Sequence, residues 1–426
     1  MSRSSPSTAS LDRGAGGGAP GGMGAAQRNA LVTGLYVTQF VGVGFLATGL
    51  AAILRDEGYS LELLGWLALA GLVWPLKVLW APVVDRWGSR RLGHYRGWLL
   101  VLQPLMVLAI LALIPFGDLS NLAPIIVLGV LLAMLSATQD TASDAIALLV
   151  MRGRERGLAN GLQVLGGYLG NLLGGGLTVV VYDRWGWAAA MLFLAAVTAL
   201  PLLNIVLLRE PVVERRTARL ADSFAALGTV LRQPGAATWS LLVVPLAVGG
   251  AGMVTALLGP ALVDRGWSLT EVAGVNGVLT GVAGMVGGLL GGLMVRQLGR
   301  VRTVVASACV LVLGAVALVV VAFGDAERLL VAPVVAVYYV AFCALTAVLY
   351  TVNMDYSRPA SAATDYSLVN TPPQVVGFLA GSVALFAAEA VGYRPVAVVA
   401  ALLFAAAGSL AVLHLDRHRD FLRTRT

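Results

Sequence analysis

The segment Ala81-Pro-Val-Val-Asp85-Arg86-Trp-Gly88-Ser-Arg90-Arg91 returns in outline as Gly292-Leu-Met-Val-Arg296-Gln-Leu-Gly299-Arg300-Val-Arg302, an offset of 211 residues. Each copy follows a long apolar run. Similar short segments also precede the two runs, Asp56-Glu-Gly-Tyr-Ser-Leu61 before the first and Asp264-Arg-Gly-Trp-Ser-Leu269 before the second. The same order of charged and apolar segments in both places indicates an internally duplicated chain.

The composition places this duplicated chain in a membrane. Of its 426 residues, 58% are hydrophobic and 12% are charged, whereas soluble domains are about 25% charged. The net charge of +7 comes from basic residues that separate apolar runs, so it predicts no nucleic-acid surface. The two cysteines, Cys309 and Cys343, both lie inside apolar runs. We therefore expect neither disulfides, nor a metal site, nor a cofactor.

Twelve apolar runs are long enough, at about 20 residues, to cross a bilayer. They cover residues 30–54, 61–84, 97–115, 122–150, 157–182, 187–208, 236–263, 270–295, 303–323, 329–354, 366–391 and 395–415. The pattern predicts an all-α membrane protein with twelve transmembrane helices in two six-helix halves, a plan known among transporters. Pro372 and Pro373 are expected to break the start of the eleventh helix.

The charged segments define the predicted domains and the orientation. We expect a disordered tail over 1–29, halves over 30–208 and 236–415, a linker over 209–235 and a tail over 416–426. With an even number of spans both termini share one side, where 23 of the 28 arginines lie. Because basic loops stay in the cytoplasm, both termini are predicted to be cytoplasmic. The first run is too long for a secretory signal.

Three charged residues fall inside predicted helices. Lys77, the single lysine, and Asp144 lie at about the same depth, and Asp140 lies one turn deeper on the face of Asp144. A charge at a helix centre costs roughly 2.5–3.5 kcal/mol, so we expect Lys77 to pair with Asp144 and also with Asp140. The pair is interpreted either as a coupling network in a transport pathway or as a fixed link between helices two and four. The surplus carboxylate is a candidate proton carrier.

Polar and aromatic stripes mark further candidate residues. On helix four Ser136, Asp140, Ser143 and Asp144 share one face, with Gln139 beside them, and such a stripe should face a cavity. The other candidates for substrate or ion coupling are Tyr36, Gln39, Gln163, Tyr339, Thr346, Tyr350, Asn353 and Gln374. Packing alone is the competing interpretation for the helix-ten residues and the glutamines. Glycines at four-residue spacing in helices five and eight predict a close seam between the halves.

The duplicated plan and the segment after helix two resemble the major facilitator superfamily, whose loop reads roughly G-x-x-x-D-R-x-G-R-R. Asp85, Arg86, Gly88 and Arg90 match it, while Ala81, Ser89 and, in the second copy, Arg296 depart from it. The resemblance implies that helices one, four, seven and ten line the cavity. It also implies a cytoplasmic gate in which the matching residues close against Arg152, Arg154 and Glu155, although the arginines alone are equally typical of topology signals.

Two further segments most resemble siderophore permeases of the RhtX/FptX type, in a branch of that superfamily that also holds muropeptide permeases. They are Arg154-Glu-Arg156-Gly157-Leu-Ala-Asn160-Gly161-Leu-Gln163-Val-Leu-Gly166-Gly-Tyr168 and Thr364-Asp365-Tyr366-Ser367-Leu368. The resemblance implies an alternating-access transporter of the bacterial inner membrane, monomeric, importing a siderophore or iron–siderophore complex with protons. A muropeptide substrate and a non-transporting sensor are the alternatives. Enzyme motifs are absent from the sequence.

Overall fold

A computed structural model describes residues 24–57, 59, 73–89, 91–151, 155–211, 228–268, 271–272, 274–324 and 327–423. These residues are almost entirely helical. The first part of predicted span 61–84 lies outside the described residues, as do Arg90, Arg152 and Arg154.

The described residues of the first half form nine helices, several of which are consecutive pieces of one span. They are α1 (Ala25–Gly44), α2 (Leu50–Asp56), α3 (Val73–Leu76), α4 (Ala81–Arg86), α5 (His94–Leu111), α6 (Leu122–Val150), α7 (Glu155–Asn171), α8 (Thr178–Ala199) and α9 (Leu202–Leu207). Short π-helical segments, Phe45–Gly49 and Leu172–Leu177, join α1 to α2 and α7 to α8. The helix α1 begins before the predicted boundary at residue 30, because Arg28 is buried and pairs with Glu155 at 2.6 Å.

Eight helices lie in the part of the second half that the structure describes. They are α10 (Ala236–Thr238), α11 (Val244–Asp264), α12 (Thr280–Leu298), α13 (Arg300–Val321), α14 (Val331–Tyr356), α15 (Ala362–Val391), α16 (Tyr393–Arg417) and α17 (Arg419–Arg423). The π-helical segments Trp239–Val243 and Gly274–Leu279 extend α11 and α12 toward their N-termini. A continuous apolar core from Val230 to Leu422 holds this half together.

Within the described part of the chain, nine helices are long and apolar enough to cross a membrane. One of them, Glu155–Leu207, contains two of the predicted spans. Gly186 interrupts it with φ 80° and ψ −179°, a conformation that costs glycine little. The break between predicted spans 157–182 and 187–208 is therefore present, and the helical class predicted from the sequence is confirmed.

The expected break at Pro372 and Pro373 is wrong, because α15 runs through both residues without interruption. Proline at 373 removes the N–H that the carbonyl of Val369 would normally accept. Ser240, from the segment before α11, donates its hydroxyl to that carbonyl at 2.9 Å. A neighbouring helix thus satisfies the freed backbone group, as membrane helices require.

Both described chain ends lie at one end of the bundle, called here the terminal face. Arg28 near the start of α1 bonds Glu155 at the start of α7, and the next residue, Arg156, bonds Asp355 near the end of α14. The hydroxyl of Tyr356 lies 2.8 Å from Nε2 of His414, close to the end of α16. These contacts connect the two halves at that face.

Glycines bring the backbones of α7 and α12 together near the terminal face. A Cβ on Gly161 would lie 2.5 Å from the carbonyl oxygen of Gly288 and 2.9 Å from Cα of Gly292. Farther along the same face of the second helix, Gly277 and Gly281 meet no described atom within 4 Å. The predicted seam is therefore closed at the terminal face, and the helices diverge toward the opposite face.

Gly157 and Gly284 also meet the opposite half, at Val295 and Tyr168, whereas other seam glycines pack within their own half. Gly166, Gly170 and Gly174 of the first half lie against α1, where a Cβ would collide with Tyr36, Val37 or Val41. Gly287 and Gly291 lie against Val340 and Ala344 of α14. Four-residue glycine spacing indicated close helix packing correctly, but it did not identify the neighbouring helix.

Candidate functional site

Lys77 lies where the second span changes from α to 3₁₀ geometry, over Lys77–Leu79. Pro82 has no N–H, and its ring would clash with the carbonyl of Val78 in a regular α-helix. The backbone tightens instead, with the N–H of Trp80 bonding the carbonyl of Lys77 at 3.1 Å. The proline thereby sets the local backbone that positions the lysine.

The ammonium group of Lys77 contacts the carboxylate of Asp140 directly, and Oδ2 of Asp144 lies 3.9 Å from it. The three residues are 3%, 2% and 1% exposed. The order of partners is the reverse of the one expected from the sequence, because Asp140 is the direct ligand. Two carboxylates share one ammonium, so this buried cluster holds a surplus negative charge unless a proton is bound.

Polar side chains from two further helices orient the carboxylates. Gln39 of α1 donates to Oδ1 of Asp140 at 2.6 Å. Oδ1 of Asp144 accepts from Tyr36 at 3.0 Å and from Gln163 at 3.1 Å. Charge-assisted hydrogen bonds of this kind are roughly twice as strong as neutral ones, so the helices α1, α6 and α7 are joined at the cluster.

A cavity of about 270 Å³ borders this charge cluster. Its wall contains the aromatic residues Phe40, Trp74, Tyr168, Phe342, Tyr350 and Tyr366. Amides from both halves, Gln163, Asn171, Asn370 and Gln374, lie between them with Thr346 and Cys343. The cavity thus combines aromatic faces, amides and charges, a combination suited to an organic solute with polar groups.

Several predicted residues are not in this wall. Ser136 donates to the carbonyl of Gln39 and Gln139 donates to Thr38, so both join α6 to α1. The hydroxyl of Ser143 is buried and has no hydrogen-bond partner among the described residues.

On α14 the predicted stripe divides in the same way. Thr346 and Tyr350 line the cavity, whereas Tyr339 lies 3.2 Å from the hydroxyl of Thr255. Asn353 bonds Trp239 and Asn370 inside the second half. The stripe was expected to face the cavity as a whole, but helix packing buries its two ends.

The predicted gate closes on a different partner from the expected loop. Oδ1 and Oδ2 of Asp85 accept from the backbone N–H groups of Ala363 and Thr364, at 3.1 and 2.7 Å. Ser361, at the N-cap of α15, makes no side-chain cap, so a carboxylate from the other half satisfies these N–H groups and faces the positive end of the helix dipole.

The other predicted gate residues contribute less to this contact. Arg86 and Gly88 are exposed at the terminal face. Glu155, expected to face the gate, pairs with Arg28 instead. Close by, Arg358 makes a bidentate pair with Asp365, and these hydrogen bonds raise the pKa of its guanidinium. We call the contact of Asp85 with Ala363 and Thr364, together with the Arg156–Asp355 pair, the terminal latch.

The sequence analysis did not predict the second part of the terminal latch, the Arg156–Asp355 pair. The carboxylate of Asp355 is fully buried between Arg300 of its own half, at 2.6 Å, and Arg156 of the first half, at 2.9 Å. A signal was available, because Asp355 stands 211 residues after Asp144, which marked it as an acidic residue at a repeated position. The cavity residues Trp74 and Asn171 carried no comparable signal.

The sequence was compared with known families and proteins. The model of the Major Facilitator Superfamily matches residues 32–381. The Anhydromuropeptide permease of Escherichia coli K12 is 29% identical over 256 residues, covering 59% of this chain and 52% of that protein. The chain therefore spans about half the length of this curated relative. An uncharacterized protein of Haemophilus influenzae is 26% identical over 377 residues, with 80% and 83% coverage.

The fold was compared with solved structures. The crystal structure of FucP, the fucose:proton symporter of Escherichia coli, in the outward conformation superimposes with a TM-score of 0.69 at 15% identity. The superposition covers 91% of this chain and 98% of that one. At this identity the likeness concerns the fold. The family match over most of the chain shows that this multi-pass membrane protein belongs to the major facilitator superfamily, whose fold it shares.

Proposed function

We propose that this protein is a secondary transporter of the bacterial inner membrane that imports a muropeptide-like solute by alternating access, driven by protons. In this proposal the terminal face is cytoplasmic, in agreement with the arginine distribution. The observation that carries the proposal is the buried cluster of Lys77, Asp140 and Asp144 on the wall of the cavity.

The chemistry of the cavity supports an amide-rich sugar derivative as the solute. The flat faces of Trp74, Phe342 and Tyr350 suit the C–H faces of sugar rings, and the amides Gln163 and Gln374 suit N-acetyl and peptide groups. Its volume of about 270 Å³ is slightly below the roughly 300–1,000 Å³ typical of ligand sites. The cavity would therefore enclose one unit of a larger solute while the remainder extends toward the open side.

The closed terminal face supports an orientation in which this cavity receives solute from the periplasm. The terminal latch and the α7–α12 glycine contacts close one side, and the helices diverge at Gly277 and Gly281. A proton taken up by Asp144 would neutralise the surplus carboxylate and allow the cluster to reorganise as the terminal face opens. One of the relatives is the Anhydromuropeptide permease of Escherichia coli K12, and its name agrees with this solute class.

A ferric siderophore is the second candidate solute. The two segments that resemble siderophore permeases meet in the structure, because the hydroxyl of Tyr366 lies 3.0 Å from both Asn160 and Gln163. A motif shared with that branch therefore lies on the cavity wall, where it would affect selection of the solute.

Uptake into right-side-out membrane vesicles separates these functions. Radiolabelled anhydromuropeptide and radiolabelled ferric siderophore are supplied in parallel, each with and without a protonophore. Accumulation of the muropeptide that the protonophore abolishes supports the proposal, and accumulation of the siderophore alone favours the second candidate. Uptake of neither solute would leave the sensor interpretation.

A further inference from the structure

Gln163 connects Asp144 to the second half of the molecule. Its Nε2 donates to Oδ1 of Asp144 at 3.1 Å, and its Oε1 accepts from the hydroxyl of Tyr366 at 3.0 Å. Asp144 belongs to α6 and Tyr366 to α15, so the amide bridges the two halves. Both ends of the amide are used, and its orientation follows from its partners.

The orientation depends on the charge of Asp144. An ionised carboxylate accepts but does not donate, so Gln163 must present its NH₂ group to it and its oxygen to Tyr366. The hydrogen bond to an ionised acceptor is roughly twice as strong as one to a neutral acceptor. Oδ2 of Asp144 has no hydrogen-bond partner among the described residues and faces the ammonium of Lys77 at 3.9 Å, and Asp144 lines the cavity. A proton that binds Oδ2 of Asp144 therefore weakens the hydrogen bond that Gln163 donates to Oδ1 of the same carboxyl group.

The hydroxyl of Tyr366 has one hydrogen and two acceptors at equal distance. Besides Gln163 it faces Oδ1 of Asn160 at 3.0 Å. The amide of Asn160 is fixed, because its Nδ2 donates to the carbonyl of Arg156 at 2.8 Å. The hydroxyl can therefore donate either to Asn160 or to Gln163, and through Gln163 it is connected to the carboxylate of Asp144.

Tyr366 also lies one turn from the terminal latch. Ala363 and Thr364, which donate to Asp85, precede it on the same helix. A change in the position of Tyr366 is thus a change at the start of α15, where the two halves are latched. The groups that titrate or carry charge around Asp144 are Lys77 on the 3₁₀ segment, Asp140 on α6, Tyr36 on α1, Tyr350 on α14 and Tyr366 on α15.

We propose that Gln163 and Tyr366 are positioning residues that transmit the protonation of Asp144 to the terminal latch. With Asp144 ionised, the Asp144–Gln163–Tyr366 chain holds α15 in the closed arrangement. With Asp144 protonated, the chain weakens and the terminal face opens. Lowering the pH therefore favours opening. This inference rests on the proposed proton coupling, but it specifies how the coupling acts and needs no solute to be tested.

The test measures the opening of the terminal face directly, in full-length protein in nanodiscs without solute. Spin labels are attached at Arg91→Cys and Arg302→Cys, both exposed at the terminal face, in a background with Cys309→Ala and Cys343→Ser. Electron–electron distances give the open and closed populations from about pH 5 to about pH 9, the range reached by buried carboxyl groups. We expect the ratio of these populations to change at least about fivefold in the parent, the lower end of usual coupling between linked sites.

Removing either the Gln163 amide or the Tyr366 hydroxyl from the Asp144–Gln163–Tyr366 chain should remove this response. In Tyr366→Phe and in Gln163→Leu we expect both populations to remain, with a ratio that changes less than about twofold over the same range. Tyr338→Phe is the matched control, because the hydroxyl of Tyr338 is buried in the second half and bonds nothing among the described residues. It should respond like the parent. Asn160→Ala removes the competing acceptor and should move the midpoint to lower pH.

The outcomes separate the inference from the proposed function. A parental pH response that persists in both Tyr366→Phe and Gln163→Leu overturns the inference and leaves proton coupling intact. A parent whose populations do not change with pH overturns both. Loss of the response in Tyr338→Phe as well as in Tyr366→Phe would show a general effect of the core and contradict the specific role of the chain.

Discussion

The carboxylate of Asp85 accepts a 2.7 Å hydrogen bond from the backbone N–H of Thr364, and this bond joins the two halves of the transporter at the terminal face. The carboxylate takes the place of a side-chain cap that Ser361 does not provide. One residue of the first half therefore completes a helix of the second half. The closed state depends on this bond and on the Arg156–Asp355 pair.

The first prediction concerns Asp85 itself. Asp85→Ala removes a charge-assisted acceptor and leaves the N–H groups of Ala363 and Thr364 without a partner, so the closed state should lose about 1.5–3 kcal/mol. Thiol labelling of Val295→Cys, a position that is buried against Gly157 in the closed seam, should become faster. Asp118→Ala removes an exposed carboxylate that bonds only Ser120 among the described residues; equal labelling rates in the two variants would contradict the role of Asp85.

The second prediction concerns the ion pair between the halves. Arg156→Gln should open the terminal face, while Arg300→Gln should mainly destabilise the second half, because Arg300 pairs with Asp355 inside that half. Removing one partner of a buried pair costs about 3–5 kcal/mol. Thermal unfolding and the spin-label distance across the terminal face distinguish the two effects. Identical behaviour of the two variants would contradict the separate roles.

The third prediction concerns the glycine seam. Gly161→Ala would place a Cβ 2.5 Å from the carbonyl oxygen of Gly288, and overpacking of this kind costs about 1–3 kcal/mol. The ratio of closed to open protein should fall by about five- to 150-fold, and uptake should fall with it. The matched variant Gly281→Ala meets no described atom within 4 Å and should transport normally. Equal uptake in both variants would exclude the seam as a closing contact.

The fourth prediction concerns the proline pair in α15. Ser240→Ala leaves the carbonyl of Val369 without a donor in the interior of the second half, which should cost about 1–3 kcal/mol of stability. Ser382→Ala serves as the control, since that exposed hydroxyl only bonds the carbonyl of Phe378 one turn earlier. A thermal shift measured for both variants tests the difference. A larger loss in the control would rule out the proposed support of the helix.

The fold was largely predictable because the bilayer imposes length and apolarity on every span. Each of the predicted spans from the third to the twelfth coincides with a described helix or with several consecutive helical segments. The depth of Lys77, Asp140 and Asp144 followed from helix geometry, and their proximity followed from the cost of burying charge. Both features depend only on local residue spacing and on the free-energy cost of burying a charge in the membrane.

The partners of individual residues were less predictable because they depend on which helices meet. Nothing in the local sequence indicates that Asp85 meets the start of α15, or that Pro372 and Pro373 are supported by Ser240 from a distant segment. The stripe on α14 divides for the same reason, since Tyr339 and Asn353 meet neighbouring helices and Thr346 meets the cavity. Tertiary packing determines each of these contacts.

The central claim is that Asp144 carries the coupled proton, and a measurement in proteoliposomes with a pH indicator inside tests it most directly. Addition of unlabelled anhydromuropeptide outside should acidify the lumen in the parent. In Asp144→Asn, exchange of labelled for unlabelled solute should continue while the acidification is lost, because the amide cannot bind the proton. Acidification by Asp144→Asn equal to that of the parent would contradict the account.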